Sequence, residues 1–142
     1  MNSTSVAAST AEIVDTLTFF DDWEDRYRYI IDLGRELPDM PLAQRRDDLL
    51  VRGCQSQVWL DWHEEDGRIV LEADSDALIV RGLIALILAA YDRRSPEEIL
   101  DFDIDDYFTR LDLLRHISPT RGNGLRAMVQ RIRDIARMQI AQ

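Results

Sequence analysis

Residues 77–91, ALIVRGLIALILAAY, are apolar almost all the way round, interrupted only by Arg81 and Gly82. A helix without a polar face cannot lie on a surface. This segment must therefore be a central core helix, with the other elements wrapped around it. At fifteen residues, with an arginine inside, it is too short to span a membrane.

The flanking segments supply the covering layers. Before it, residues 11–20 and 22–37 read as two helices. The second carries Trp23, Tyr27, Ile30, Ile31 and Gly34 at stripe spacing and is stopped by Pro38 and Pro41. The period then changes. Val58, Leu60 and Trp62 alternate with Gln57, Trp59 and Asp61, Glu65-Asp66-Gly67 makes a turn, and residues 68–73 return as a second strand. Residues 49–52 are a candidate third strand. After the core helix, Ser95-Pro96-Glu97-Glu98 opens a short capped helix, followed by helices near 105–115 and 119–139. The last of these buries Leu125, Met128, Val129, Ile132 and Ile135 or Ala136. The fold class is α+β, with helices on a small antiparallel sheet of about three strands. Residues 1–9, small and polar, read as a flexible N-terminus, and residues 10–142 as a single domain.

Composition narrows the chemistry by exclusion. All 17 basic residues are arginine, so a lysine Schiff base to pyridoxal phosphate and a Walker-type phosphate loop are both closed to this chain. A single cysteine can form neither an internal disulfide nor a CxxC pair, and it cannot hold an iron–sulfur cluster alone. The net charge of −10 disfavours non-specific nucleic-acid binding, although six arginines against one acid from Arg115 onward leave the charge uneven. That asymmetry fits a solvated helix face or a partner-docking surface. The N-terminus shows no basic stretch followed by an apolar run. With a free thiol, this points to the cytoplasm.

Few residues remain to carry chemistry. His63 and His116 lie at no metal-ligand spacing with Cys54 or with each other, so no metal site is expected. A Cys–His thiol enzyme remains open. Cys54 sits between a polar loop and the first strand, beside Gly53, whose missing side chain permits a tight backbone and close approach of another molecule. Gln55 and Ser56 could hydrogen-bond a charged sulfur without competing as nucleophiles. Local physics equally allows a buried, inert cysteine that packs as a small hydrophobe.

The stretch Gly53-Cys54-Gln55-Ser56-Gln57-Val58-Trp59-Leu60 resembles the signature of the SufE family, the sulfur-acceptor partners of cysteine desulfurases. The likeness continues through Asp74-Ser75-Asp76-Ala77, Ile79-Val80-Arg81-Gly82-Leu83-Ile84-Ala85, Ser118-Pro119-Thr120-Arg121, Gly124-Leu125 and Ala127-Met128, with Tyr29-Ile30-Ile31-Asp32-Leu33-Gly34 upstream. Leu49 departs from it where asparagine would be expected.

The resemblance implies a persulfide carried on Cys54, with Gly53, Gln55, Ser56 and Gln57 shaping the cysteine loop. It also places Arg121 near the desulfurase contact and Asp74 in a segment that influences access to the cysteine. The partners implied are a cysteine desulfurase, which would bring its own pyridoxal cofactor, and a downstream iron–sulfur scaffold, with no nucleic acid and no membrane. Such a chain would be an accessory protein without a cofactor of its own, and monomer and homodimer both stay open. Cys54 is expected to be partly sheltered in the free protein, with Arg52 or the partner favouring the thiolate on docking. A non-catalytic adaptor and a Cys-dependent thiol enzyme are the alternatives.

Overall fold

The computed structural model describes residues 3–54 and 56–141. Helices α1 (Ser3–Phe19) and α2 (Trp23–Glu36) precede an antiparallel hairpin of β1 (Val58–Glu65) and β2 (Arg68–Ser75). Helices α3 (Leu78–Tyr91), α4 (Pro96–Asp101), α5 (Ile104–Leu111) and α6 (Pro119–Ala141) complete the chain. The α+β class is as expected, and α3 is the hub, packed against α1, α2, α6 and β2. Leu86, Ile87, Ala90 and Tyr91 are fully buried.

The two interruptions in α3 have separate physical reasons. A Cβ on Gly34 of α2 would lie 2.6 Å from the Gly82 backbone nitrogen, and one on Gly82 would overlap the Ile30 carbonyl. The two helices therefore touch backbone to backbone, and only glycine fits. Arg81 reaches across the same crossing. Its Nε donates to the Gly34 carbonyl at 3.1 Å, a terminal nitrogen donates to the Leu37 carbonyl, and the guanidinium pairs with Asp74. An arginine inside an apolar helix is tolerated because every direction it faces offers an acceptor.

The hairpin turn is made by Asp66 and Gly67, both at positive φ (55° and 78°), which matches the right-handed strand twist. Val58 pairs with Ser75 at the open end. In the hairpin region two details differ from expectation. Among the described residues the sheet has two strands rather than three. Residues 47–49 turn as a 3-10 helix and Gly53 takes φ 93°, which leaves Leu50 to make one isolated bridge to Trp59. Strand β1 also buries Val58, Trp59 and Leu60 consecutively, because the Arg45 guanidinium covers the Trp59 ring at 5.1 Å.

Helix α1 begins at Ser3 rather than residue 11; Met1 and Asn2 lie outside the described residues. On α2, Trp23, Tyr29 and Leu33 join Ile30 against the core, with Leu37 just past its end, while Tyr27 and Ile31 do not. Helix α5 stops at Leu111 rather than near 115, where Asp112 takes a left-handed conformation (φ 52°). The Ser95–Glu98 capping box on α4 forms as expected. Helix α6 buries Leu125, Met128, Val129, Ile132, Ile135 and Ala136.

Candidate functional site

The cysteine loop is tied down at both ends. Upstream, the Val51 N–H donates to the Val58 carbonyl at 2.8 Å. Downstream, the Gln57 N–H donates to Asp76 Oδ1 at 3.1 Å, and the Asp76 N–H returns to the Gln57 carbonyl at 3.4 Å. Between these anchors the chain must reverse quickly. Gly53 does so at φ 93°, a region L side chains rarely adopt, with Ala127 of α6 close behind it. Gln55 lies outside the described residues.

This geometry lays Cys54 on the flank of α6. Its thiol donates to the Gly124 carbonyl, with sulfur and oxygen 3.6 Å apart. Beside the sulfur is an apolar cavity of about 30 Å³. Val58 of β1, Val80, Leu83 and Ile84 of α3, and Leu125 and Met128 of α6 form its walls; Ser56, Thr120 and Arg121 also line it. The volume exceeds the roughly 10–15 Å³ that one water-sized probe occupies. Cys54 is half-buried, which matches the expected sheltering. Burial pushes its thiol pKa up. Arg52, two residues before the cysteine, is exposed.

The other residues singled out from sequence divide cleanly. Cys54, Ser56 and Arg121 share the cavity, with Gly53 shaping its loop. Gln57 is exposed and acts through its backbone. Arg121 is an exposed residue in the first turn of α6, where its N–H donates to Ser118 Oγ at 3.2 Å. Asp74 does not line the cavity. Its fully buried carboxylate accepts from the N–H groups of Met40 (2.9 Å) and Ser75 (2.7 Å) and pairs with Arg45 (2.9 Å) and Arg81. Arg45, paired with Asp74, also covers Trp59, the bridge partner of Leu50. Leu49 is half-buried, with its N–H bonded to the Arg46 carbonyl at 3.0 Å.

Neither histidine lines the cavity beside the sulfur. His63 is exposed beside Glu65 (3.2 Å). His116 stacks on Trp23 with ring centroids 4.0 Å apart, and its Nε2 lies 3.4 Å from an Asp112 oxygen without hydrogen-bond alignment. No acid or histidine among the described residues lines the cavity. Among the described residues, no group of three or more histidine, cysteine or acidic side chains could hold a metal ion. No described helix is long and apolar enough to cross a membrane.

Sequence reasoning missed Gly124, Asp76 and the arginine partners of Asp74. An arginine within an apolar run was a signal for a buried carboxylate, and a glycine inside a helix was a signal for close approach.

With this geometry in place, comparison with known proteins is decisive about kinship. The family model described as SufE, Fe-S metabolism associated domain, matches residues 11–136. The chain belongs to the SufE family. It is 46% identical over 132 residues to an uncharacterized SufE-like protein of Rhizobium meliloti strain 1021, covering 90% of this chain and 94% of that one. It is 45% identical over 138 residues to an uncharacterized SufE-like protein of Rhizobium etli, covering 94% and 93% of the two chains. In fold, this SufE-family chain is similar to a hypothetical protein from Thermus thermophilus solved in solution. The TM-score is 0.76 at 18% identity, covering 94% of this chain and 97% of that one.

Proposed function

We propose that this SufE-family protein accepts sulfur as a persulfide on Cys54 from a cysteine desulfurase and delivers it toward iron–sulfur cluster assembly. The observation that carries this reading is the Cys54 seat. A lone thiol adjoins an apolar cavity of about 30 Å³ that lacks any acid or histidine, which suits storage of one more sulfur atom better than turnover. The transfer is a thiol–disulfide-type exchange. The Cys54 thiolate attacks the outer sulfur of the donor's cysteine persulfide, a new S–S bond forms at Cys54, and the donor's S–S bond breaks to release its thiolate. No external oxidant or reductant is needed.

Thiolate is the attacking species, and burial disfavours it in the free protein. The docked partner must therefore draw Cys54 from its seat or supply compensating positive charge. Arg121, exposed at the cavity, would meet that partner. Once loaded, a terminal sulfur among Val58, Leu83 and Met128 would be screened from soluble thiols. The protein acts in the cytoplasm as an accessory factor, with the pyridoxal chemistry on the desulfurase and an iron–sulfur scaffold downstream.

The test is mass spectrometry after incubation with an active cysteine desulfurase and cysteine. A gain of one sulfur atom on wild type that disappears in Cys54→Ser is expected. An unchanged mass on wild type, while the desulfurase turns over, would move the adaptor reading ahead.

A further inference from the structure

Helix α6 carries two glycines near its start, and helix interiors disfavour glycine relative to alanine by about 1 kcal/mol each. The two differ in what they face. A Cβ on Gly122 would meet only Leu114 Cδ2, at an ordinary 3.8 Å. A Cβ on Gly124 would stand 3.3 Å from Cys54 Sγ and 3.4 Å from Cys54 Cα. The absent side chain at Gly124 is therefore the floor on which the cysteine rests.

We propose that Gly124 is the positioning residue that holds Cys54 in its resting, protonated form. The contact made there is selective for thiol over thiolate. Sγ–H donates to the Gly124 carbonyl, which has a second lone pair available beyond the helix's own hydrogen bond. Once the proton leaves, the sulfur has nothing to donate, and it faces the negative end of a carbonyl dipole. Cysteines near helix N-termini ordinarily meet N–H groups, which favour the thiolate. Here the sulfur meets a C=O instead, so the helix works in the opposite sense. The apolar walls of Val58, Leu83 and Met128 act in the same direction by withholding solvent from the anion. Cys54 is thereby kept quiet until something displaces it from α6. The consequence for sulfur transfer rests on the acceptor role of Cys54, whereas the thiol chemistry is read without any partner.

The test uses the full chain, whose only cysteine makes alkylation a direct report on this site. Rates with iodoacetamide are measured from about pH 6 to 10 for wild type, Gly124→Ala and Gly122→Ala. Both substitutions favour helix, so thermal melts confirm that each variant is folded. In Gly124→Ala the added methyl should push Cys54 a few tenths of an ångström away, weakening its contact with the carbonyl. The expected result is alkylation about three- to tenfold faster near pH 7, with the titration inflection moved to lower pH, since each unit is tenfold in thiolate. Gly122→Ala should superimpose on wild type. A Gly124→Ala profile that superimposes on wild type or moves to higher pH overturns the proposal, as does an equal shift in Gly122→Ala.

Discussion

Asp74 offers the sharpest test of how the loops around the site are held. Its carboxylate is wholly buried and takes four partners: two backbone N–H groups and the guanidinium groups of Arg45 and Arg81. Asp74→Ala removes all four at once. Arg81 suffers most, since its side chain is only 12% exposed and cannot turn to water. It keeps the Gly34 and Leu37 carbonyls and the exposed Asp39, but no buried anion. Breaking a buried pair from one side costs about 3–5 kcal/mol, because the remaining charge is stranded. For a domain of this size that corresponds to a fall in Tm of about 10–20 °C. Thermal and urea melts followed by circular dichroism read the loss directly.

The same reasoning fixes the sign of a double-variant test. Asp74→Ala with Arg81→Met removes the stranded charge, so the pair should be distinctly less destabilised than the sum of the single variants. A Tm change under about 2 °C in Asp74→Ala would refute the reasoning. So would strict additivity in the double variant, since the cost would then not lie in an uncompensated guanidinium.

Two further outcomes follow from the geometry. Gly82→Ala should lower the urea midpoint by the equivalent of about 3 kcal/mol, the top of the overpacking range, although alanine is the better helix former. Its Cβ would collide with the Ile30 backbone, and an unchanged midpoint would show that α2 and α3 can part freely. The second concerns pH. Because burial raises the Cys54 thiol pKa, the folded state holds its proton where the unfolded thiol, at about 8.5, has begun to lose it. The contribution is fully present below that pH and is lost as pH rises through the folded value. Wild type should therefore lose stability relative to Cys54→Ser on moving above about pH 8.5, as read by urea melts at each pH, and a constant difference between them would count against a buried thiol.

Much of the architecture could be read from short-range pattern. The apolar run around residues 77–91 demanded a buried helix whatever its neighbours. The Ser95–Glu98 cap and the Asp66-Gly67 turn are local hydrogen-bonding and φ requirements, and all three stand in the structure. The third strand failed for an equally local reason that periodicity does not register: Gly53 and the 3-10 turn at residues 47–49 bend the chain away after a single bridge.

The site divides along the same line. That Cys54 is the one available thiol, with no lysine and no second cysteine to share its chemistry, was already in the composition. Gly53 beside it pointed to a tight loop. What surrounds the sulfur was decided only by packing, because its partners come from distant parts of the chain. The Gly124 carbonyl lies 70 residues away, and the cavity walls come from three separate elements. The same holds for Asp74, which sits within a strand pattern, while Met40, Arg45 and Arg81 meet it only when α2, the following loop and α3 close on one point. Residue type and spacing determine which groups can react and which segments are regular. Tertiary structure alone determines which of those groups are desolvated and which are paired.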